Sequence, residues 1–200
     1  MLDRFYLIVD SAQWLERLLP LGVKTVQLRA KDKSHAELTH EIIRSRTLCA
    51  QHGATLIVND YWQIALDEGC DFVHLGQEDM DSADFKALKT GGVRVGLSTH
   101  TPEELDRALT FQPDYIALGP IYPTVLKQMP FPPQGLERIG QWKRTIGHIP
   151  LVAIGGLTPE RAKLVLEAGA DSACVVTDIL LNADPEARTR EWISTVRDAG

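Results

Sequence analysis

The stretch Gly69–Asp79, GCDFVHLGQED, carries one structural unit from end to end. Gly69 is placed to stop a helix, and Cys70 and Asp71 lead into an apolar run, Phe72–Gly76, that ends on Gln77, Glu78 and Asp79. Short continuous apolar runs of this kind are what strands buried on both faces look like, as in parallel sheets covered by helices. The same join of helix end to strand recurs at Gly22–Leu28 (GVKTVQL), Gln112–Leu118 (QPDYIAL) and Gly169–Val176 (GADSACVV). The unit is therefore a repeat of the fold.

Working outward, similar runs at Phe5–Asp10, Thr25–Ala30, Thr55–Asp60, Arg94–Thr99, Tyr115–Pro120, Leu151–Gly156 and Ser172–Thr177 bring the expected strands to eight. Helix starts separate them. SHAE (Ser34–Glu37) and TPEE (Thr101–Glu104) have the capping-box pattern, and TPE at Thr158 and DPE at Asp184 pair a cap with a proline at the first helical position. Gly53, Gly69 and Gly169 fall where helices should stop. Strands alternating with helices imply parallel pairing through right-handed crossovers. With 200 residues, enough for one well-buried core, eight such units predict an α/β fold: a single compact (β/α)8 barrel spanning residues 1–200. One connection is long. Residues 121–150 carry Pro123, Pro130, Pro132 and Pro133 and no helical pattern before about Leu136, which reads as a shaped loop covering a site.

Composition narrows the function. The net charge is -6 and the lysines and arginines are scattered, which argues against a nucleic-acid surface, so an anionic ligand would need local positive charge. Cys49, Cys70 and Cys174 are far apart with no CxxC pair and read as small buried hydrophobes, without a disulfide framework or a zinc site. No apolar stretch is long enough to span a bilayer, and MLDRFYLIVD enters a strand directly. A cytoplasmic protein with no membrane partner is expected.

Barrel enzymes place their active sites at the C-terminal ends of the strands, and here those ends are polar. Gln27, Arg29 and Lys31 follow the second strand, Asn59 and Asp60 the third, Gln77 and Asp79 the fourth, and Ser98, Thr99 and His100 the fifth. Thr124 and Lys127 lie in the long loop. Arg29, Lys31 and Lys127 converging on one mouth would form an anion site in an acidic protein. Asp60 and Asp79 conflict with that unless they cap helices or share a cation. Mg2+ resolves the conflict, because it takes one or two carboxylates together with phosphate oxygens and water. Gly155 and Gly156, with Val176 and Thr177, occupy the seventh and eighth strand ends, where barrels frequently bind a phosphate monoester. His100 is open to a structural or an acid–base role, and Trp14, Trp62, Trp142 and Trp192 read as helix packing.

The segments QLRAK, VND, HLGQED, GLSTH, GPIYPT, KQMP, PQGL, AIGG and GAD with VVT, in this order, resemble the thiamine-phosphate synthase family. The resemblance implies a (β/α)8 barrel in which Mg2+ assists the joining of hydroxymethylpyrimidine diphosphate to a thiazole phosphate, giving thiamine phosphate and pyrophosphate. It implies that Gln27, Arg29, Lys31, Asn59, Ser98 and Lys127 contact the pyrimidine diphosphate, with Arg29, Lys31 and Lys127 in the catalytic role. Asp60 and Asp79 would hold Mg2+. Thr124, Gly156, Val176 and Thr177 would hold the thiazole phosphate, with a backbone N–H at Leu126. Leu126 stands where the family commonly has a second hydroxyl, and Tyr61 where an arginine often follows the Asp. The implied partners are small phosphorylated molecules. A related thiazole tautomerase-like isomerase and a silent phosphate-binding barrel are the alternatives.

Overall fold

The computed structural model describes residues 2–124 and 132–197. Eight parallel strands pair in sequence order and close: β1 (Phe5–Val9), β2 (Thr25–Leu28), β3 (Thr55–Asn59), β4 (Phe72–Leu75), β5 (Arg94–Thr99), β6 (Tyr115–Leu118), β7 (Leu151–Ile154) and β8 (Ser172–Val175), with β8 pairing β1. Every expected strand is present. Most stop one or two residues earlier than the apolar run, because the last residues turn out of the ladder to form the mouth. Arg29 and Lys31 thus lie beyond the end of β2.

The helices are α1 (Ala12–Leu18), α2 (His35–His52), α3 (Trp62–Asp67), α4 (Phe85–Thr90), α5 (Pro102–Thr110), α6 (Gly135–Ile146), α7 (Pro159–Glu167), α8 (Thr177–Leu180) and α9 (Pro185–Arg197). Their starts follow the sequence. Ser34 and Glu37 make the full reciprocal box of α2, and the Thr158 hydroxyl accepts from the Arg161 N–H at 3.4 Å. The Asp184 carboxylate accepts from the Ala187 N–H at 2.9 Å. TPEE is only half a box. Thr101 caps the Glu104 N–H, but the Glu104 carboxylate turns to the backbone N–H and Nδ1 of His100, both at 2.7 Å, because the imidazole offers it a second donor.

Alternation along the strands creates two apolar layers. One face of each strand, including Leu7, Val26, Leu28, Val58, Val73, Leu75, Leu97, Ile116 and Leu118, joins the main core under the helices. The other face fills the barrel with Tyr6, Ile8, Ile57, Phe72, Tyr115, Ala117, Val152 and Cys174. Fully burying each large aliphatic chain contributes roughly 1.5–3 kcal/mol, so the outer layer dominates the hydrophobic stabilisation.

The repeated helix-to-strand join also has a physical cause. Asp114 donates its N–H to the Val95 carbonyl at 2.7 Å and accepts the Val95 N–H on its carboxylate at 2.8 Å. Asp171 makes the same bracket with Leu151, both bonds at 2.8 Å. Each carboxylate thus satisfies an amide at the start of the neighbouring strand. Among the described residues no helix is long and apolar enough to cross a membrane.

Candidate active site

The C-terminal strand ends surround a cavity of about 1060 Å3. Gln27, Arg29, Lys31, Asn59, Asp60, Asp79, Ser98, Thr124, Gly156, Val176 and Thr177 all line it. Leu126 and Lys127 lie outside the described residues, so the cations placed at the mouth are Arg29 and Lys31.

Asp60 sits in the tight turn between β3 and α3. Its φ is +66°, a left-handed conformation uncommon outside glycine but tolerated by Asp and Asn. The turn is pinned by the Asp60 N–H donating to the His74 carbonyl at 2.9 Å and the Tyr61 N–H to the Asn59 carbonyl at 2.8 Å. Capping does not account for this carboxylate, since α3 takes Tyr61 as its N-cap and has no side-chain cap bond. Asp79 opens a single 3-10 turn, Asp79–Asp81, and accepts the Gly76 N–H at 3.2 Å. Burial pushes the Asp60 acid up to about 6, the nearby Asp79 charge pushes in the same direction, and the Lys31 and Arg29 charges oppose both. Asp60 therefore keeps its proton to a higher pH than an ordinary carboxyl.

Below the mouth runs a buried polar chain that the sequence reading did not find. The Gln27 amide nitrogen meets the Tyr6 hydroxyl at 2.7 Å, Tyr6 meets the Tyr115 hydroxyl at 2.9 Å, Tyr115 meets Nδ1 of His74 at 2.7 Å, and Nε2 of His74 meets the Ser98 hydroxyl at 2.8 Å. Burial drives the His74 imidazole down to about 4, helped by the Arg29 charge, and raises both phenols above their ordinary range. All three rings are neutral near pH 7. Tyr115 can lie there only because Gly96 has no side chain, a Cβ at that position falling 2.0 Å from the tyrosine ring. Only Gln27 and His74 gave a local signal, as polar residues within apolar runs. Tyr6, Gln27, His74 and Tyr115 occupy inward positions within runs that otherwise read as uniformly apolar.

The glycine pair also has a packing role. A Cβ on Gly155 would fall 2.6 Å from Pro120, and one on Gly156 would fall 2.3 Å from the Pro123 carbonyl oxygen. Both glycines, at φ of +102° and +64°, are needed so that the segment after β6 can pack against the end of β7. Gly156 still lines the cavity. Beside it, α8 is locked in place: the Asp178 carboxylate takes Arg188 at 2.8 and 3.0 Å and the Trp192 indole N–H at 2.7 Å, fixing Val176 and Thr177 at the rim. Gln77 ties loops together, its amide donating to the Ser98 carbonyl at 2.7 Å. His100 lines the cavity with Nδ1 on Glu104. Trp14, expected only to pack, also reaches the cavity wall.

A family model described as thiamine monophosphate synthase matches residues 5–179. The chain is 61% identical to a thiamine-phosphate synthase of Rhizobium etli over 193 residues, covering 96% of this chain and 95% of the relative. It is 46% identical to a thiamine-phosphate synthase of Neisseria meningitidis over 184 residues, covering 92% and 90%. Among solved structures, the thiamine phosphate pyrophosphorylase of Pyrococcus furiosus superposes with a TM-score of 0.85 at 26% identity, covering 98% of this chain and 96% of that one.

Proposed function

Because the chain belongs to the thiamine monophosphate synthase family, we propose that its mouth joins hydroxymethylpyrimidine diphosphate to a thiazole phosphate, with the residues above as two anion sites. The chain is an enzyme of thiamine biosynthesis and a transferase. The observation that carries the site assignment is the carboxyl pair Asp60 and Asp79 on one cavity wall, within reach of the Arg29 and Lys31 charges.

A divalent cation fits this pair. The Asp60 acid stays raised although the Lys31 and Arg29 charges oppose the shift, so the pair still favours added positive charge, and among the described residues no group of three or more His, Cys, Asp or Glu could hold a metal alone. Two carboxylates completed by phosphate oxygens and water are the donor set that Mg2+ accepts. When bound, Mg2+ neutralises charge on the diphosphate.

The protein residues divide the remaining work. Arg29 and Lys31, with Lys127, draw negative charge onto the departing pyrophosphate, so the methylene carbon–oxygen bond breaks with its electron pair leaving on oxygen. The electron-rich aminopyrimidine spreads the positive charge left on the methylene. Gln27, Asn59 and Ser98 orient that ring. Thr124, Gly156, Val176, Thr177 and the Leu126 N–H hold the thiazole phosphate, so that the thiazole nitrogen attacks the methylene and closes the carbon–nitrogen bond. Positioned charges of this type contribute about 2.7–4 kcal/mol each.

The isomerase and silent-barrel alternatives have no specific observation in their favour. Residues 1–200 act as one barrel domain in this reading, supported by the pairing of β1 with β8. The free, buried thiols of Cys49, Cys70 and Cys174 are consistent with work in the cytoplasm. The test is pyrophosphate release. Release requires both substrates and stops with EDTA; turnover indifferent to the chelator counts against the metal assignment.

A further inference from the structure

The buried chain has a property that none of its members has alone. Each phenol, the Ser98 hydroxyl and a neutral imidazole carries a single polar proton, so a series in which every buried proton is used points one way throughout. In one direction the Gln27 amide N–H donates to Tyr6, Tyr6 to Tyr115, and Tyr115 to Nδ1 of His74. The His74 Nε2–H then donates to Ser98, which leaves the Ser98 proton and the Gln27 carbonyl oxygen for a ligand. In the other direction the Gln27 carbonyl accepts, His74 carries its proton on Nδ1, and Ser98 donates inward. A ligand then meets the Gln27 N–H and a Ser98 lone pair. A mixed state, in which one hydroxyl accepts from both sides, would leave that hydroxyl's own proton without its partner in the series, which costs about 1–3 kcal/mol per unsatisfied group in a dry interior.

We propose that Tyr6, Tyr115 and His74 are positioning residues that couple Gln27 to Ser98, so that whenever one end offers a donor the other offers an acceptor. Such a pair of ends selects a ring that presents one amine and one ring nitrogen acceptor, as an aminopyrimidine does, over rings that present two acceptors or two donors. The inference rests on the reading of Gln27 and Ser98 as pyrimidine contacts; both line the cavity. Geometry supports the coupling. All four hydrogen bonds are between 2.7 and 2.9 Å, both imidazole nitrogens are taken by hydroxyls, and the His74 ring stacks on Tyr115 at 14°.

The test is a double-mutant cycle repeated in two backgrounds. Gln27→Met and Ser98→Ala each lower kcat/KM for the pyrimidine diphosphate by about tenfold or more. Combined in the otherwise native enzyme, they lose at least about fivefold less than the product of the single effects, because losing either end also releases the other. In Tyr115→Phe, which removes the central hydroxyl and keeps the ring, the losses multiply to within about twofold. Binding of pyrophosphate with Mg2+, read by calorimetry, is unchanged in Tyr115→Phe, which shows that the mouth is intact. As an independent readout, 15N spectra of the native complex show one protonated nitrogen on His74, and Gln27→Met changes the tautomer ratio. Multiplicative losses in the native background overturn the coupling, as do equal non-additivity in Tyr115→Phe or a His74 tautomer indifferent to Gln27→Met. If neither single variant lowers kcat/KM, the pyrimidine assignment itself falls and takes the coupling with it.

Discussion

The two ends of the barrel use aspartate in opposite ways. At the N-terminal end, Asp114 and Asp171 each accept an amide at the start of the neighbouring strand, and Asp171 also takes the Lys143 ammonium at 2.5 Å. At the C-terminal end, Asp60 is held in a left-handed turn, caps nothing, and faces another carboxyl. A carboxylate whose surroundings supply donors is part of the frame. One whose surroundings supply another carboxylate lacks a ligand, and the difference lies in the partners, not the residue type.

The sharpest way to break this contrast is to remove carboxylates from both ends. Asp60→Ala and Asp79→Ala should each lower kcat by about 100- to 1000-fold, equivalent to ~2.7–4 kcal/mol, with the circular dichroism spectrum retained. Full activity in both variants would sink the metal assignment. The floor beneath the mouth gives the next largest effect. Gly96→Ala drives a methyl into the Tyr115 ring, 2.0 Å away, and should cost about 1–3 kcal/mol in denaturant melts while also displacing the hydroxyl between Tyr6 and His74. A Gly96→Ala enzyme with native stability would mean that the ring moves freely, against the packing described.

At the opposite end, Asp171→Ala leaves the Leu151 N–H without its acceptor and frees Lys143. A loss of about 1–2 kcal/mol is expected, with kcat within about twofold of native. A kcat loss matching that of Asp60→Ala would erase the distinction between the two ends.

How much of this was legible follows from where each polar atom sits. The strands were readable because residues such as Val73 and Leu75 face helices while their neighbours face the barrel interior, leaving few polar breaks. Asp60 and Asp79 were readable because they interrupt that pattern at its end. Tyr6 and Tyr115 were not, since each is a large, mostly apolar side chain whose single hydroxyl gives no periodic signal. His74 looked like an isolated polar residue within a strand. Its partners come from β5 and β6, and only the closed register, His74 beside Gly96 and Gly96 beside Tyr115, brings them together. Gly155 and Gly156 were legible as strand-end glycines, but their close packing on Pro120 and Pro123 was not, because those contacts join the ends of two different strands.

The smallest effect tests the contrast without removing a side chain's bulk. The folded-state acid constant of Asp60, about 6, lies above the ordinary value of 3.8. Its neutral form therefore stabilises the metal-free fold fully below about pH 4, and that contribution is lost as the pH rises through about 6. The carboxyl is partly exposed, so screening reduces the contribution to on the order of 1 kcal/mol. Asp60→Asn cannot ionise and still tolerates a positive φ. Metal-free native protein should lose stability relative to Asp60→Asn between pH 4 and about 7, and added Mg2+ should reverse the order above pH 6, because the ionised pair then gains its missing charge. A difference between the two proteins that stays flat across that range, with and without Mg2+, would place Asp60 with Asp114 and Asp171 as part of the frame.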